Sequence, residues 1–308
     1  MARAFAQGVA LALTAVLFWG AQLPVAKSAF AVVDPFHVTA IRYALATLLL
    51  VPIVAGLNGR SSLRYYGRVW PASALGVIGM TGSPLAVFTG LALTGPEHTA
   101  IIVSLQPSMT AIADWLLHGR RPSNFTRACI AIAFVGVVLV VTKGDPHLGM
   151  GVRELSGDAL VLFGSMFWVV YTMGAERFRG WSALKFTLLT LIPGSIGLVV
   201  VTGALDVLGL ARAPTWHELA SVSGELLFLT LGGVLLAMIC WNAGAQRIGA
   251  LNSMLMLNLV PIVVFTIGFL RGQRFLAVEL AGAGLVIGAL AANNIYLRRA
   301  HARRSRAA

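Results

Sequence analysis

The chain has 308 residues, of which 58% are hydrophobic and 11% are charged, and its formal net charge is +12. A soluble domain has about 25% charged residues, so a chain as apolar as this one could not present a water-facing surface. The composition excludes a soluble globular protein, and it therefore removes nucleic-acid binding as the natural explanation of the positive charge.

Apolar runs of about 18 to 22 residues follow one another along the chain. Each is long enough to cross about 30 Å of hydrocarbon as a helix and too long for a barrel strand. The first run is longer than the core of a usual signal peptide, although a cleaved signal peptide is the alternative there. We predict an all-α integral membrane protein whose ten transmembrane helices cover residues 8–31, 36–56, 70–92, 97–117, 127–142, 158–177, 184–203, 224–244, 248–269 and 279–297.

The positive charges fall mainly in loops on one side of this predicted bundle. If the N-terminus is cytoplasmic, sixteen of the 23 Lys and Arg residues face the cytoplasm and five face the other side, with Lys27 and Arg42 inside spans. Cytoplasmic loops of membrane proteins carry such an excess of basic residues. We therefore expect a multi-pass protein of a bacterial-type inner (plasma) membrane with both termini in the cytoplasm.

The two halves of the chain resemble each other. "WGAQ" at 19–22 aligns with "WVVY" at 168–171, and "TGPEHTAIIVSLQPSM" at 94–109 aligns with "IGALNSMLMLNLVPIV" at 248–263. Each half holds five predicted spans, an odd number, so the second half must enter the membrane upside down. Inverted repeats are typical of secondary transporters, whose substrate site lies near the midplane between the repeats.

This repeat divides the chain into two modules with no separate soluble domain. The stretch "GDPHLGMG" between them is polar and rich in glycine, which is typical of a connection. The predicted organisation is a first five-helix repeat over 1–143, a linker over 144–157, a second, inverted five-helix repeat over 158–297 and a basic cytoplasmic tail over 298–308.

Polar and aromatic residues recur on one face of several predicted spans. Lipid offers polar groups no partner, so they are expected to face the interior of the bundle. Trp19 and Gln22 share a face of the first span, and the repeat matches them with Trp168 and Tyr171 in the sixth. The alternative is that the aromatic rings form an interfacial belt and that the amides and hydroxyls join helices. The candidate substrate-binding residues, which suit an amphipathic small molecule, are Trp19, Gln22, Ser104, Trp168, Tyr171, Asn242 and Asn258.

Four charged or titratable residues within the predicted spans are candidates for charge recognition or coupling. Lys27 and Arg42 could attract a carboxylate of the substrate, or could extend toward the membrane surface. Asp114 and His118 lie one turn apart, where they could exchange protons with a gradient because imidazole titrates near neutral pH. The alternative for this second pair is a local contact at the cytoplasmic interface.

Proline and glycine indicate where helices bend and where they pack. Pro107 and Pro261 occupy matched positions in the two repeats, and we expect them to act as hinges because proline interrupts the helical ladder. Gly284 and Gly288 have GxxxG spacing, which predicts close helix packing. That packing would occur within a monomer or at the interface of a homodimer.

Several of these residues together resemble the drug/metabolite transporter superfamily of EamA type, whose members have ten helices in two five-helix units. The resemblance covers nearly the whole chain and rests on "FWG" with Lys27 in the first span, Arg42 in the second and "WNAGAQRIGALNSMLMLNLVP" across the eighth and ninth. Arg120 and Gln273 stand where the family usually has glutamates. In this departure the chain is similar to the bacterial aromatic amino-acid exporters.

The resemblance implies a secondary transporter that exports amino acids, aromatic ones among them, or related small metabolites across the inner membrane by alternating access. The alternatives are a carrier of the same fold for a vitamin, a nucleoside-like compound, a drug cation or a lipid-linked metabolite, and a structural membrane protein. The sequence has no HExxH, GxSxG or GxxxxGK[ST] motif, which argues against an enzyme and against an ATP-driven pump. We expect a small-molecule substrate and the lipid bilayer as partners, with no cofactor, no metal and no nucleic acid.

Overall fold

The protein is a bundle of long helices. The computed structural model describes residues 2–119, 121–144 and 151–307, and these ranges contain helices and no strand. Arg120 and residues 145–150 of the predicted linker lie outside the described residues. Within the described ranges, nine helices are long and apolar enough to cross a membrane and a tenth apolar helix is shorter, which confirms the predicted all-α membrane fold. Numbered in chain order, α1 to α10 are Arg3–Ala29, Pro35–Leu57, Val69–Leu93, Pro96–His118, Asn124–Thr142, Val152–Phe178, Ala183–Val207, Ser223–Ile248, Asn252–Leu270 and Ala277–Asn293.

The helices extend beyond the apolar spans that the sequence predicts. α6 begins at Val152 rather than at residue 158, and the helix that contains α10 continues to Ala307. Polar residues lower the hydropathy of a segment without breaking its ladder of backbone hydrogen bonds. An apolar run therefore marks the part of a helix that lies in hydrocarbon and not the ends of the helix.

Successive spanning helices run in opposite directions, so the start of α1 and the end of α10 lie at the same end of the bundle. We call this end the terminal face and the other end the opposite face. α2 begins at the opposite face, where the Asp34 carboxylate accepts hydrogen bonds from the backbone amides of Phe36 and His37 and caps the helix. Gly119 follows α4 directly and Gly272 stands two residues after α9, and their φ angles of 68° and 80° lie in the left-handed region that favours glycine.

The packing of the helices repeats when the helix number is advanced by five. α1 lies against α8, and the equivalent helices α6 and α3 are also in contact. α2 packs on its equivalent α7, and α5 packs on its equivalent α10. Each half therefore makes the same contacts with the other, as expected when the second five-helix repeat is turned over relative to the first.

Glycines allow the equivalent helix pairs to approach closely. Between α3 and α6, a Cβ added to Gly90 would lie 2.5 Å from the carbonyl oxygen of Gly157, and one added to Gly157 would lie 2.9 Å from that of Gly90. Between α1 and α8, a Cβ added to Gly244 would lie 3.0 Å from the carbonyl oxygen of Gly8. Small residues at such crossings let two helix backbones pack against each other, so these pairs fix the interface between the repeats.

The GxxxG pair of α10 does not take part in packing within the described chain. A Cβ added to Gly284 or Gly288 would meet no atom within 4 Å, and both residues are exposed. The glycine of α10 that packs on α5 is Gly282, where an added Cβ would lie 2.7 Å from the carbonyl oxygen of Gly136. The prediction of a GxxxG contact inside the monomer is wrong. The spacing indicates a smooth helix face, but it does not indicate whether another helix packs on that face. A homodimer contact there stays a prediction.

Four helices are irregular near their middle, at matched positions in the two repeats. α3 contains the π-helical segment Val77–Gly82, and α8 contains the π-helical segment Leu229–Leu236. α4 is broken by a turn at 104–105, and α9 is broken by the 3-10 segment Leu257–Leu259. Irregular backbone inside a membrane is tolerated where it is buried in protein or lines a cavity, and π segments are frequent at functional sites. The four segments therefore indicate a site at the centre of the bundle.

Candidate functional site

A cavity lies between the two repeats, at the level of the irregular segments. The space open to the centres of water molecules is about 80 Å³, which is room for several waters or a small metabolite. Both repeats form its wall, which combines aromatic rings and aliphatic side chains with a few polar groups. The lining residues are Trp19, Gln22, Leu23, Arg42, Tyr43, Gly79, Ser83, Pro84, Val87, Phe88, Val103, Gln106, Trp168, Gly233, Met238, Leu257 and Val260.

The π segments place a glycine against each of two matched side chains. A Cβ added to Gly79 in α3 would lie 2.4 Å from the ring of Tyr171, and one added to Gly233 in α8 would lie 2.7 Å from Oε1 of Gln22. The carbonyl of Gly233 also accepts a hydrogen bond from the indole nitrogen of Trp19 at 3.0 Å. A larger residue at position 79 would clash with the rigid ring of Tyr171, and one at position 233 would displace the end of the Gln22 side chain. The two repeats thus use the same device on either side of the cavity.

Three tryptophans from α1, α6 and α8 form an aromatic cluster at the cavity. The rings of Trp19 and Trp168 meet edge to face with centroids 5.2 Å apart, and Trp241 lies 5.0 Å from Trp19 and 6.1 Å from Trp168. Trp19 and Trp168 line the cavity, whereas Trp241 is fully buried behind them. The cluster lies inside the bundle, which is not the place of an interfacial belt.

Arg42 is a buried charge at the cavity wall. Arg42 is 1% exposed. Its Nη1 donates a hydrogen bond to Oε1 of Gln22 at 2.9 Å, and its guanidinium carbon lies 3.7 Å from the centre of the Phe88 ring. The buried Nε has no hydrogen-bond partner. Among the residues that the structure describes, no carboxylate forms an ion pair with Arg42. An unpaired buried charge is costly, and an anionic group in the cavity would offset that cost.

The second half of α4 adds to the positive character of the cavity. It begins at Gln106, which lines the cavity and whose buried Oε1 has no hydrogen-bond partner. The second half of α9 begins at Val260, which also lines the cavity. The N-terminus of a half-helix carries a partial positive charge, and such ends hold anionic substrate groups in transporters with broken helices. Pro107 and Pro261 lie in the first turn of these two half-helices, where proline fits because no amide hydrogen is needed.

Four of the seven predicted substrate-binding residues lie outside the cavity wall. The Ser104 hydroxyl donates a hydrogen bond to a backbone carbonyl one turn earlier, at 2.6 Å. Asn242 donates hydrogen bonds to the Tyr171 hydroxyl at 3.2 Å and to the Thr187 hydroxyl at 2.8 Å, so this group joins α6, α7 and α8. Asn258 is buried in the break of α9, and its Oδ1 has no partner. Direct contact of these four with a substrate stays a prediction.

Lys27 lies at the end of α1 and binds the end of α3. Its Nζ donates hydrogen bonds to the carbonyl oxygens of Leu91 at 3.0 Å, Ala92 at 2.9 Å and Thr94 at 3.0 Å. These carbonyls form the negative end of the α3 dipole, which a cation stabilises. All three protons of the ammonium are used in this way, so the contacts that the structure shows for Lys27 hold helices together.

We expect Lys27→Met to lower the free energy of unfolding by about 2 kcal/mol, because three carbonyls at a helix end lose a charged donor. Thermal unfolding in detergent measures this change, and Lys27→Arg should restore part of the stability. Transport per folded molecule should remain close to that of the wild-type protein. A variant with unchanged stability and lost transport would instead place Lys27 in substrate recognition.

Asp114 and His118 form an exposed pair in the last turns of α4. The Nδ1 of His118 lies 2.9 Å from Oδ1 of Asp114, and neither residue lines the cavity. The two residues lie near the terminal face, and their contact joins neighbouring turns of the same helix. A role for them in proton coupling stays a prediction.

The sequence analysis did not identify Tyr43, Phe88 and Gln106, which line the cavity. Gln106 carries a signal, since it stands directly before Pro107 in the segment that matches α9. Phe88 has no such signal in the sequence, because one aromatic residue in an apolar run does not indicate which residues it will contact. Within the described chain, no group of three metal-ligating side chains occurs.

An all-helical membrane protein with two repeats around a shared polar and aromatic cavity has the architecture of a carrier of small molecules. The EamA-like transporter family matches residues 6–142 and 155–295, which is one match in each half. The chain belongs to this family. It is therefore a multi-pass membrane transporter that acts on a small-molecule substrate within the lipid bilayer.

The relatives are transporters of similar length. The chain is 32% identical over 297 residues to the uncharacterized transporter YrdR of Bacillus subtilis, with 95% of this chain and 92% of the relative covered. It is 26% identical over 159 residues to the threonine/homoserine exporter RhtA of Escherichia coli K12, with 49% and 47% covered. A crystal structure of a protein with 21% sequence identity superposes with a TM-score of 0.69 over 96% of this chain and 98% of that chain, which shows the shared fold.

Proposed function

We propose that the protein is a secondary carrier that exports amino acids, or closely related carboxylate-bearing metabolites, by alternating access. The observation that carries this proposal is the unpaired guanidinium of Arg42 in a cavity enclosed by both repeats. A carboxylate satisfies that charge. The rings of Trp19 and Trp168 provide an apolar wall for the side chain of the cargo.

The size and charge of the cavity favour some cargoes over others. A space of about 80 Å³ for the centres of water molecules favours a small amino acid over a bulkier cargo. A drug cation is disfavoured because Arg42 would repel it. The printed name of one relative, a threonine/homoserine exporter, supports an amino acid as the cargo and export as the direction.

The orientation and the motion follow from the same features. The excess of basic residues in the loops of the terminal face supports a cytoplasmic position for that face in a bacterial-type inner membrane. Alternating access then requires the two repeats to rock about the cavity. Pro107 and Pro261, each at the start of a half-helix, are the proposed pivots.

A thermal-shift experiment with matched ligands tests the cargo class. The purified protein is heated with L-threonine, L-phenylalanine or L-tryptophan, and in parallel with L-threoninol, L-phenylalaninol or L-tryptophanol, which lack the carboxylate. We expect at least one amino acid to raise the melting temperature while its alcohol does not, because a ligand that binds the folded state stabilises it. Equal shifts for an amino acid and its alcohol, or shifts with lipids alone, would overturn the proposal.

A further inference from the structure

Two histidines join the repeats at the opposite face. His37 of α2 has its Nδ1 2.6 Å from Oδ2 of Asp34 and its Nε2 3.1 Å from Oδ2 of Asp206 at the end of α7. His98 of α4 has its Nδ1 3.3 Å from Oδ2 of Asp158 near the start of α6. α2 and α4 belong to the first repeat, whereas α6 and α7 belong to the second. We call these five residues the histidine latch.

His37 lies between two carboxyl groups, one on each side of its ring. A neutral imidazole has one N–H donor and one bare nitrogen, whereas an imidazolium has two donors. Both ring nitrogens of His37 face carboxylate oxygens, so a neutral ring would place a lone pair against one of them. Oδ1 of Asp34 accepts two backbone amides at the start of α2, which leaves its Oδ2 to face the ring of His37. A ring that carries a proton on both nitrogens is the form of His37 that donates to both carboxylates at once.

The partner carboxylates of the second repeat depend on this charge. Oδ1 of Asp206 and Oδ1 of Asp158 are both buried without a hydrogen-bond partner. Each of these carboxylates has one oxygen on a histidine and one oxygen with no donor. The side chain of Asp158 is 8% exposed and that of Asp206 is 29% exposed. A buried anion without a counter-charge is destabilised, and this cost is larger for Asp158 than for Asp206. A neutral His37 would turn a lone pair toward one of its two carboxylates, and a neutral His98 would leave Asp158 a hydrogen-bond donor without a counter-charge. Both changes weaken the contacts between the repeats.

Other charged groups surround the latch without replacing it. α8, which packs on α2, has Glu225 near the opposite face, and the half of α3 that packs on α2, Ser83–Leu93, has no titratable residue. The half of α9 that packs on α4, Val260–Leu270, has none either. Around His98, the charged residues at the same end of α4 and of the helices against it are Glu97, Lys27, Arg153 and Glu154, with Lys143 after α5 and Arg271 after α9.

The terminal face is joined by groups that keep their protonation state near neutral pH. The Tyr65 hydroxyl donates to the carbonyl of Leu189 at 3.0 Å, and Nη1 of Arg68 donates to the carbonyl of Arg177 at 2.9 Å. Burial raises the pKa of Tyr65 above its ordinary value. An arginine stays charged throughout the physiological range. Near the terminal face, His118 pairs with Asp114 of its own helix, whereas His37 and His98 each contact the other repeat at the opposite face. A change in the charge of these two histidines therefore acts on links between the repeats at the opposite face.

We propose that His37 and His98 are proton-binding sites that hold the opposite face closed when protonated and release it when deprotonated. The inference rests on the proposed alternating access. In the proposed orientation, this face is the outer one, so external acid suppresses opening to the outside. The protons bind and leave on the same side of the membrane. They therefore regulate the carrier and do not drive transport.

Distances between spin labels across the opposite face test the histidine latch. Val32 and Val207 are exposed residues beside the latch, and each is replaced by a labelled cysteine in a chain with Cys129→Ala and Cys240→Ala. In nanodiscs, we expect a single short distance at about pH 5.5 and an added longer distance at about pH 7.5. The ratio of the two populations should change at least about tenfold, as expected for the loss of one charge-assisted hydrogen bond.

The variants His37→Gln and His98→Gln, singly and together, should each weaken this pH dependence, and the double variant should abolish it. Asp206→Asn and Asp158→Asn remove the same links from the other repeat and should have the same effect, which guards against a misfolded histidine variant. His217→Gln changes an exposed histidine of a short helix at the same face and should behave like the wild type.

A wild-type distance that does not change with pH, or a double variant that keeps the wild-type response, would overturn the proposal. This readout needs no substrate. Its failure is therefore distinct from a failure of amino-acid binding in the thermal-shift experiment.

Discussion

An Arg42→Met variant is expected to bind the amino-acid cargo about 100-fold more weakly than the wild-type protein and to unfold at a higher temperature. The first effect follows because a carboxylate loses a charged hydrogen-bond donor in a buried site. The second follows because replacing a buried, unpaired ion by an apolar residue of similar volume is commonly neutral or stabilising by about 1 to 4 kcal/mol. Isothermal titration with L-threonine and L-phenylalanine, together with thermal unfolding, measures both.

The combination of weaker binding and greater stability separates this variant from a misfolded one. Arg42→Lys is the matched control, since it retains the charge but loses the planar donor set of the guanidinium. Its affinity should lie between those of the wild type and Arg42→Met. Wild-type affinity in Arg42→Met would contradict a role of Arg42 in cargo binding, and a large loss of stability would indicate that Arg42 is structural.

Trp19→Ala and Trp168→Ala are each expected to reduce transport in proteoliposomes by at least about tenfold per folded molecule. Both rings form the wall of the cavity, and removing either one leaves the cargo without an apolar surface on that side. Each variant should also lose about 3 to 5 kcal/mol of stability, since a buried tryptophan is truncated. Transport is therefore normalised to the amount of monodisperse protein recovered.

Trp241→Ala is the control that separates the two effects. Trp241 belongs to the same aromatic cluster and is fully buried, but it does not line the cavity. Its truncation should cost similar stability while transport per folded molecule remains close to the wild-type value. If Trp241→Ala and Trp19→Ala lose transport equally, the cluster supports the fold as a whole and the assignment of Trp19 to the cavity wall has no basis.

The helices and the repeat could be predicted from the sequence because hydropathy and self-similarity are local signals. The apolar runs gave every spanning helix, and the match of "WGAQ" with "WVVY" placed Trp19 and Trp168 at equivalent positions, which the structure brings within 5.2 Å. The helix ends were less well predicted, as in α6 at Val152, since a helix continues where its sequence becomes polar. The matched Pro107 and Pro261 indicated where α4 and α9 are interrupted.

The contacts of single polar residues could not be predicted, because each depends on which helix lies opposite. A lysine near the end of a span has the same sequence signal whether it meets a substrate, the membrane surface or the carbonyls at the end of α3. Tyr171 and Asn242 were correctly expected to be buried, but burial does not distinguish a cavity from a neighbouring helix. The partners of His37 and His98 lie 169 and 60 residues away along the chain, and no local pattern indicates them.

The central claim is that both repeats enclose one cavity that opens alternately to the two faces. Ser83 of the first repeat and Met238 of the second line this cavity, whereas Ile196 of α7 is 60% exposed on the outside of the bundle. Each is replaced by cysteine in a chain with Cys129→Ala and Cys240→Ala. A membrane-impermeant thiol reagent is then applied to right-side-out and to inside-out vesicles.

We expect the cysteines at positions 83 and 238 to react from both sides of the membrane and the cysteine at 196 to react from neither. Reaction of either cavity cysteine from one side alone, or reaction of all three positions alike, would contradict a shared cavity with alternating access.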